Sequence, residues 1–232
     1  MKAFSNLLSD LILTSSRNRK LSLLEQYFSS TPDPDRGYAL AALTGSLNFK
    51  NIKASFFKNL IKEKQDEHLF DLSYDYVGDL AETISLLWDE EKSGNMPRLS
   101  SLFENLKKAK TDELKNYIID ILNISTADQR WAFIKLFTGG LRIGVSSRLV
   151  KQALANYGNV DLEEIEKIWH GLRFPYINLF SWLENKGSKP KISIYDIFHP
   201  MMLAHPVVME KDLAVANPKD FVAEYKWDGI RV

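Results

Sequence analysis

Up to about residue 185 the apolar side chains of this chain recur at three- and four-residue intervals, and that period decides what it can fold into. Phe4, Leu7, Leu8, Leu11 and Ile12 share one face of a helix, as do Leu21, Leu24, Tyr27 and Phe28. Tyr38, Leu40, Ala41 and Leu43 follow the proline-rich TPDPDRG. Val77, Leu80, Ala81, Ile84, Leu87 and Trp88 form a stripe that ends at Ser93–Pro97. Further stripes carry Leu102, Phe103 and Leu106, then Leu114, Ile118, Ile121 and Leu122 behind the cap-like Thr111 and Asp112. Trp131, Ile134, Lys135 and Phe137 lie on a helix stopped by Gly139-Gly140, and others run from Ser146 to Tyr157, Leu162 to Trp169 and Tyr176 to Leu183. Roughly ten short helices with short connections predict an all-α, multi-helix domain over residues 1–185.

Composition narrows the function. With no cysteine in 232 residues, disulfide scaffolds, iron–sulfur clusters, thiolate zinc sites and cysteine nucleophiles are excluded. A 45% hydrophobic content is enough for a core without such staples. Thirty basic residues balance thirty acidic ones, so the chain does not coat nucleic acid through its bulk field, although a local basic face stays open. No apolar run approaches the ~20 residues that span a bilayer. Asp10 interrupts the N-terminal stretch, which reads as an amphipathic helix rather than a signal peptide. The expectation is a cytoplasmic (nucleoid-associated) or nuclear protein, neither secreted nor bound to membrane.

The period changes after NKGSKP. Pro190, Pro200, Pro206 and Pro218 punctuate a linker over residues 186–219. In FVAEYKWDGIRV, Phe221, Ala223, Tyr225 and Trp227 then alternate with Val222, Glu224, Lys226 and Asp228, a period of two that predicts a strand. Asp228-Gly229 is a turn signal. A lone hairpin is marginal in water. Residues 220–232 therefore read as the first edge of a sheet whose remainder lies elsewhere.

One internal stretch concentrates positive charge. Between Gln129 and Val160 stand Arg130, Lys135, Arg142, Arg148 and Lys151, with no acid. Within it, a helix ending at Gly-Gly, a tight link and a second helix starting at Ser146 or Ser147 offer free N–H groups to an anion. The candidate phosphate-binding residues are Gly140, Arg142, Gly144, Ser146, Ser147, Arg148 and Lys151. The run Lys50, Lys53, Lys58, Lys62 and Lys64 reads as a solvated helix face, with a second phosphate-contact surface as the alternative. The four histidines show no metal-ligand spacing, so no metal site is expected. Trp88, Trp131, Trp169 and Trp182 read as core.

Two of these segments resemble known families. Lys226-Trp227-Asp228-Gly229, with Arg231 two residues on, resembles motif I (Lys-x-Asp-Gly) of the covalent nucleotidyltransferases, which are DNA ligases, RNA ligases and mRNA capping enzymes. The resemblance implies that Lys226 attacks the α-phosphate of ATP to form a phosphoramidate, a task that needs a lysine whose pKa has been lowered. It further implies that Glu224 reads the adenine, Arg231 contacts ribose or the nick-side phosphate, and Asp228 and Gly229 support the turn. Leu141–Ser146, LRIGVS, resembles the signature of the helical DNA-binding domain of ATP-dependent DNA ligases. Tyr76–Thr83 resembles another segment of that domain, and Pro200–Ala204 its exit linker.

Together these imply the N-terminal part of an ATP-dependent DNA ligase, with nicked double-stranded DNA and the rest of the enzyme as partners. ATP and Mg2+ would serve the full enzyme, with neither expected to be bound by this fragment. Alone, the chain is expected neither to adenylate itself nor to seal nicks. A stand-alone helical DNA-binding or scaffolding protein stays open as an alternative. An RNA ligase or capping enzyme is disfavoured by the long helical region that carries LRIGVS.

Overall fold

The stripe headed by Phe4 forms the first helix of a computed structural model that describes residues 1–47, 49, 52–89, 94–193, 195, 197, 206–222 and 225. This helix, α1 (Lys2–Leu13), turns Phe4, Leu7, Leu8 and Leu11 inward and leaves Leu13 in solvent. Burying each such side chain is worth about 1.5–3 kcal/mol, which fixes the face a helix turns to the core. There follow α2 (Arg17–Ser30), α3 (Asp35–Leu43), α4 (Ala54–Lys62), α5 (Glu67–Val77), α6 (Leu80–Leu87) and α7 (Leu99–Lys108). The unit Met1–Phe198 continues with α8 (Thr111–Asn123), α9 (Ala127–Lys135), α10 (Ser147–Gly158), α11 (Leu162–Ile168) and α12 (Ile177–Leu183). A second unit, His199–Val232, contributes α13 (Met209–Val215) and a 3₁₀ turn, Pro218–Asp220. Among the described residues there is no strand, and no helix is long and apolar enough to cross a membrane. The fold is all-α.

Four local readings change. The stripe from Val77 to Trp88 is broken into two helices, because Gly78 takes a left-handed φ of 73° to cap α5 and Asp79 accepts from the Glu82 N–H at 3.0 Å to start α6. The helix before Gly139-Gly140 ends at Lys135. Beyond it, the N–H groups of Leu136 and Phe137 bond three residues back, tightening the last turn. Thr111 lies inside α8, whose cap position is Lys110. The stretch read as linker holds α13. The strand read over 220–232 lies largely outside the described residues, and Phe221, Val222 and Tyr225, within them, are exposed and irregular.

The centre of the first unit is built on α9, which packs on α1 and α6, and on α10, which packs on α2, α11 and α12. Phe57, Phe133, Phe137 and Phe103 form a contiguous aromatic cluster between them and the outer helices. Charge is buried where helices end. Arg130 donates to Leu122 O and Trp88 O at 2.8 Å, supplying a cation to the C-terminal ends of α8 and α6. Lys135 pairs with Asp79 across α9 and α6.

One close approach fixes how α3 meets the loop before α12. A Cβ built on Gly37 would sit 1.8 Å from the carbonyl oxygen of Pro175. Because that neighbour is backbone, it cannot rotate away. Gly37→Ala is expected to destabilise the domain by about 3 kcal/mol, the upper end for overpacking, read as a lowered urea midpoint.

Candidate nucleic-acid interface

Two helix N-termini open on one cleft. Ser16 caps α2, its Oγ accepting from the Arg19 N–H at 3.3 Å, and Ser146 caps α10, accepting from the Leu149 N–H at 3.2 Å. Acids normally favour a helix's first turn by about 0.3–1 kcal/mol. Neither helix has one there, and α2 instead begins Arg17-Asn18-Arg19-Lys20. The side-chain charges thus add to the positive helix ends.

Lys20 joins the two helices. It is 8% exposed, and its Nζ donates to Ile143 O at 3.0 Å and Gly144 O at 2.9 Å. The joined loop alternates by residue type. Ile143 is buried and Leu141 half-buried, while Arg142 between them is exposed. Left-handed φ angles at Gly140 (116°), Arg142 (51°) and Gly144 (64°) curl the chain back on itself. Gly144 meets two demands, since a Cβ there would also come within 2.6 Å of Lys20 Nζ.

The resulting cleft encloses about 540 Å³, and its polar lining is Ser15, Arg17, Lys20, Arg142 and Ser146, with no acid. Among the described residues no carboxylate pairs with Arg17, Lys20 or Arg142. Cations and helix-end N–H groups converging on an open hollow suit a phosphate.

The sequence-derived candidates divide. Arg142, Gly144 and Ser146 line the cleft. Gly140 faces a neighbouring hollow of about 330 Å³ beside Phe49 and Phe137. Ser147 is half-buried in the first turn of α10. Arg148 and Lys151 turn towards α11. Arg148 Nε lies 3.9 Å from Glu166, and Lys151 Nζ lies 4.8 Å from the centre of the Trp169 ring. Burial lowers the Lys151 pKa, with Glu166 opposing. The acid-free stretch is therefore not a five-cation face, because Arg130 and Lys135 are consumed inside the fold. Glu224, Lys226, Asp228, Gly229 and Arg231 lie outside the described residues. Of the lysine run, Lys62 bridges Glu67 at 2.7 Å and Asp71 at 3.1 Å, and Lys58 lies over Tyr74.

Arg17 and Lys20 escaped the sequence reading, although SSRNRK held a signal: a capping serine followed by cations where a helix prefers acids.

The family model described as DNA ligase N terminus matches residues 1–155, which include all of α2, the loop and most of α10. The chain belongs to that family. No curated protein matches it. The cleft of this DNA ligase N-terminal domain thus lies wholly within the matched region. Among its described residues no three His, Cys, Asp or Glu side chains gather as metal ligands.

Proposed function

We propose that this domain grips duplex DNA by its sugar–phosphate backbone at the α2–α10 cleft, as the DNA-holding part of an ATP-dependent DNA ligase. The supporting observation is the convergence of Arg17, Lys20 and Arg142 on an acid-free cleft at two helix N-termini. Backbone contacts position a protein without reading bases. The favoured partner is nicked duplex, distinguished from intact duplex by shape and deformability. In the same reading Lys226 is the nucleophile of the full enzyme. Its Nζ forms the bond to the α-phosphorus of ATP as pyrophosphate leaves, with Glu224 and Arg231 holding the nucleotide and Asp228-Gly229 the turn. Support for that part is the Lys-x-Asp-Gly motif following LRIGVS in family order. ATP labelled at its α-phosphate should mark the full enzyme and not its Lys226→Arg variant.

The test of the cleft is a salt titration of binding to a labelled nicked duplex. Log affinity should fall linearly with log salt, by about 0.9 per phosphate engaged. Arg142→Ala should weaken binding about fivefold at 0.15 M salt, the value that slope gives for one phosphate, and equally on unrelated sequences. If Arg142→Ala and Arg17→Ala both bind like the parent, the cleft is not the interface.

A further inference from the structure

The α5–α6 hairpin has the opposite character to the cleft. Residues 65–89 hold seven acids and no lysine or arginine. Along α5, Leu69, Leu72 and Tyr76 stand at i, i+3 and i+7, hence on one face, and they are 49%, 56% and 93% exposed. On α6, Leu86 is 66% exposed and shares a face with Glu82 four residues earlier. The two helices pack as a pair, and Gln65 Nε2 donates to Leu87 O at 3.1 Å, so the start of α5 lies beside the end of α6. Some of the charge is already matched, since Glu67 and Asp71 bridge Lys62, and Asp79 pairs with Lys135. Asp75, next to Tyr76, and Glu82 are exposed and have no ion pair among the described residues.

We propose that this outward face docks a partner protein through a basic amphipathic segment, with apolar side chains on the Leu69–Leu72–Tyr76 row and lysines or arginines on Asp75 and Glu82. An apolar row rimmed by charge on a helix face is the form that helix-in-groove partners recognise. The acids select the occupant. They repel a nucleic-acid backbone. A two-fold contact between copies of this chain would bring the same patch, and so like charges, together. A basic segment alone gains from both the row and its rim, and it would leave the α2–α10 cleft free for DNA.

The probe is a labelled synthetic peptide of leucine and lysine, amphipathic as a helix, titrated by fluorescence anisotropy against the whole chain. A control peptide carries glutamate for lysine. The expected result is saturable binding of the lysine peptide alone, unaffected by saturating nicked duplex and unaltered in Arg17→Ala/Arg142→Ala. Leu69→Ser/Leu72→Ser/Tyr76→Ser keeps every charge and removes only exposed side chains. It should weaken peptide binding by roughly tenfold or more while melting like the parent and holding DNA as before. Equal binding by that variant, equal binding of the glutamate peptide, or displacement by duplex would overturn the proposal. So would a chain that sediments as a dimer and becomes monomeric in the variant, since the occupant would then be a second copy.

Discussion

Replacing Arg36 with alanine is expected to lower the unfolding free energy by about 3–5 kcal/mol, the loss typical when one partner of a buried ion pair is removed. Arg36 is 6% exposed. Its Nε and Nη2 reach the two Asp33 carboxylate oxygens at 2.8 and 2.7 Å, and Nη1 donates to Glu184. The guanidinium lies 4.2 Å from the centre of the Phe180 ring and also donates to Phe28 O at 3.3 Å. One side chain thus ties α2, the turn before α3 and the end of α12. Alanine would leave Glu184, 16% exposed, with Tyr157 and Lys186 as its remaining donors. Arg36→Lys should recover little, because an ammonium cannot serve two carboxylates with a planar fork. Urea unfolding followed by circular dichroism checks both; a loss under 1 kcal/mol in Arg36→Ala would show the network to be dispensable.

The same network sets an acid limb. Hydrogen bonds from Arg36, and next from Lys186, hold the Glu184 pKa down to about 2. An unfolded glutamate titrates near 4.3. A folded value below the unfolded one adds stability above pH ~4.3 that is lost as pH falls towards about 2. Asp35 and Asp79 are also lowered: burial pushes each up, but hydrogen bonds from Ser100 and Arg98, and from Lys135, outweigh it. The parent should therefore lose stability steadily below pH ~4.3, and Arg36→Ala should lose less over the same interval, because the Glu184 share shrinks to what Lys186 and Tyr157 still supply.

The helical architecture was legible because rows such as Phe4–Leu7–Leu8–Leu11 state both an element and its inward face. The α5–α6 hairpin was not, for a physical reason. Leu69, Leu72 and Tyr76 make a second apolar row that points outward, which blurs the period, and only the left-handed Gly78 and the capping Asp79 separate the helices. The cleft was half legible. LRIGVS and its capping serine are local and could be read, but the tether from Lys20 to Ile143 spans 123 residues and no spacing announces it. Charge counting misled in the other direction. Arg130 and Lys135 stand in an acid-free stretch of sequence, yet carbonyls of Leu122 and Trp88 and the carboxylate of Asp79 come from elsewhere to meet them. A run of like charge marks a surface only when the fold brings nothing opposite to it.

That distinction sharpens the second large effect, expected for Arg17→Ala/Arg142→Ala. If each arginine engages one phosphate, the salt slope should fall by about 1.8, and affinity for nicked duplex should drop about 30-fold at 0.15 M salt. Counterion release vanishes as salt approaches 1 M, so parent and variant should converge there. A misfolded or merely destabilised variant would not converge, since its deficit is not electrostatic. Arg148→Ala, removing a cation 3.9 Å from Glu166 on the side facing α11, should change the slope far less. Lys20→Met should behave differently again. Its Nζ is spent on Ile143 O and Gly144 O, so its removal frees the loop that presents Arg142. Part of that loss should persist at 1 M salt. A Lys20→Met deficit that disappears entirely at high salt would make Lys20 a plain phosphate contact rather than the tether that shapes the cleft.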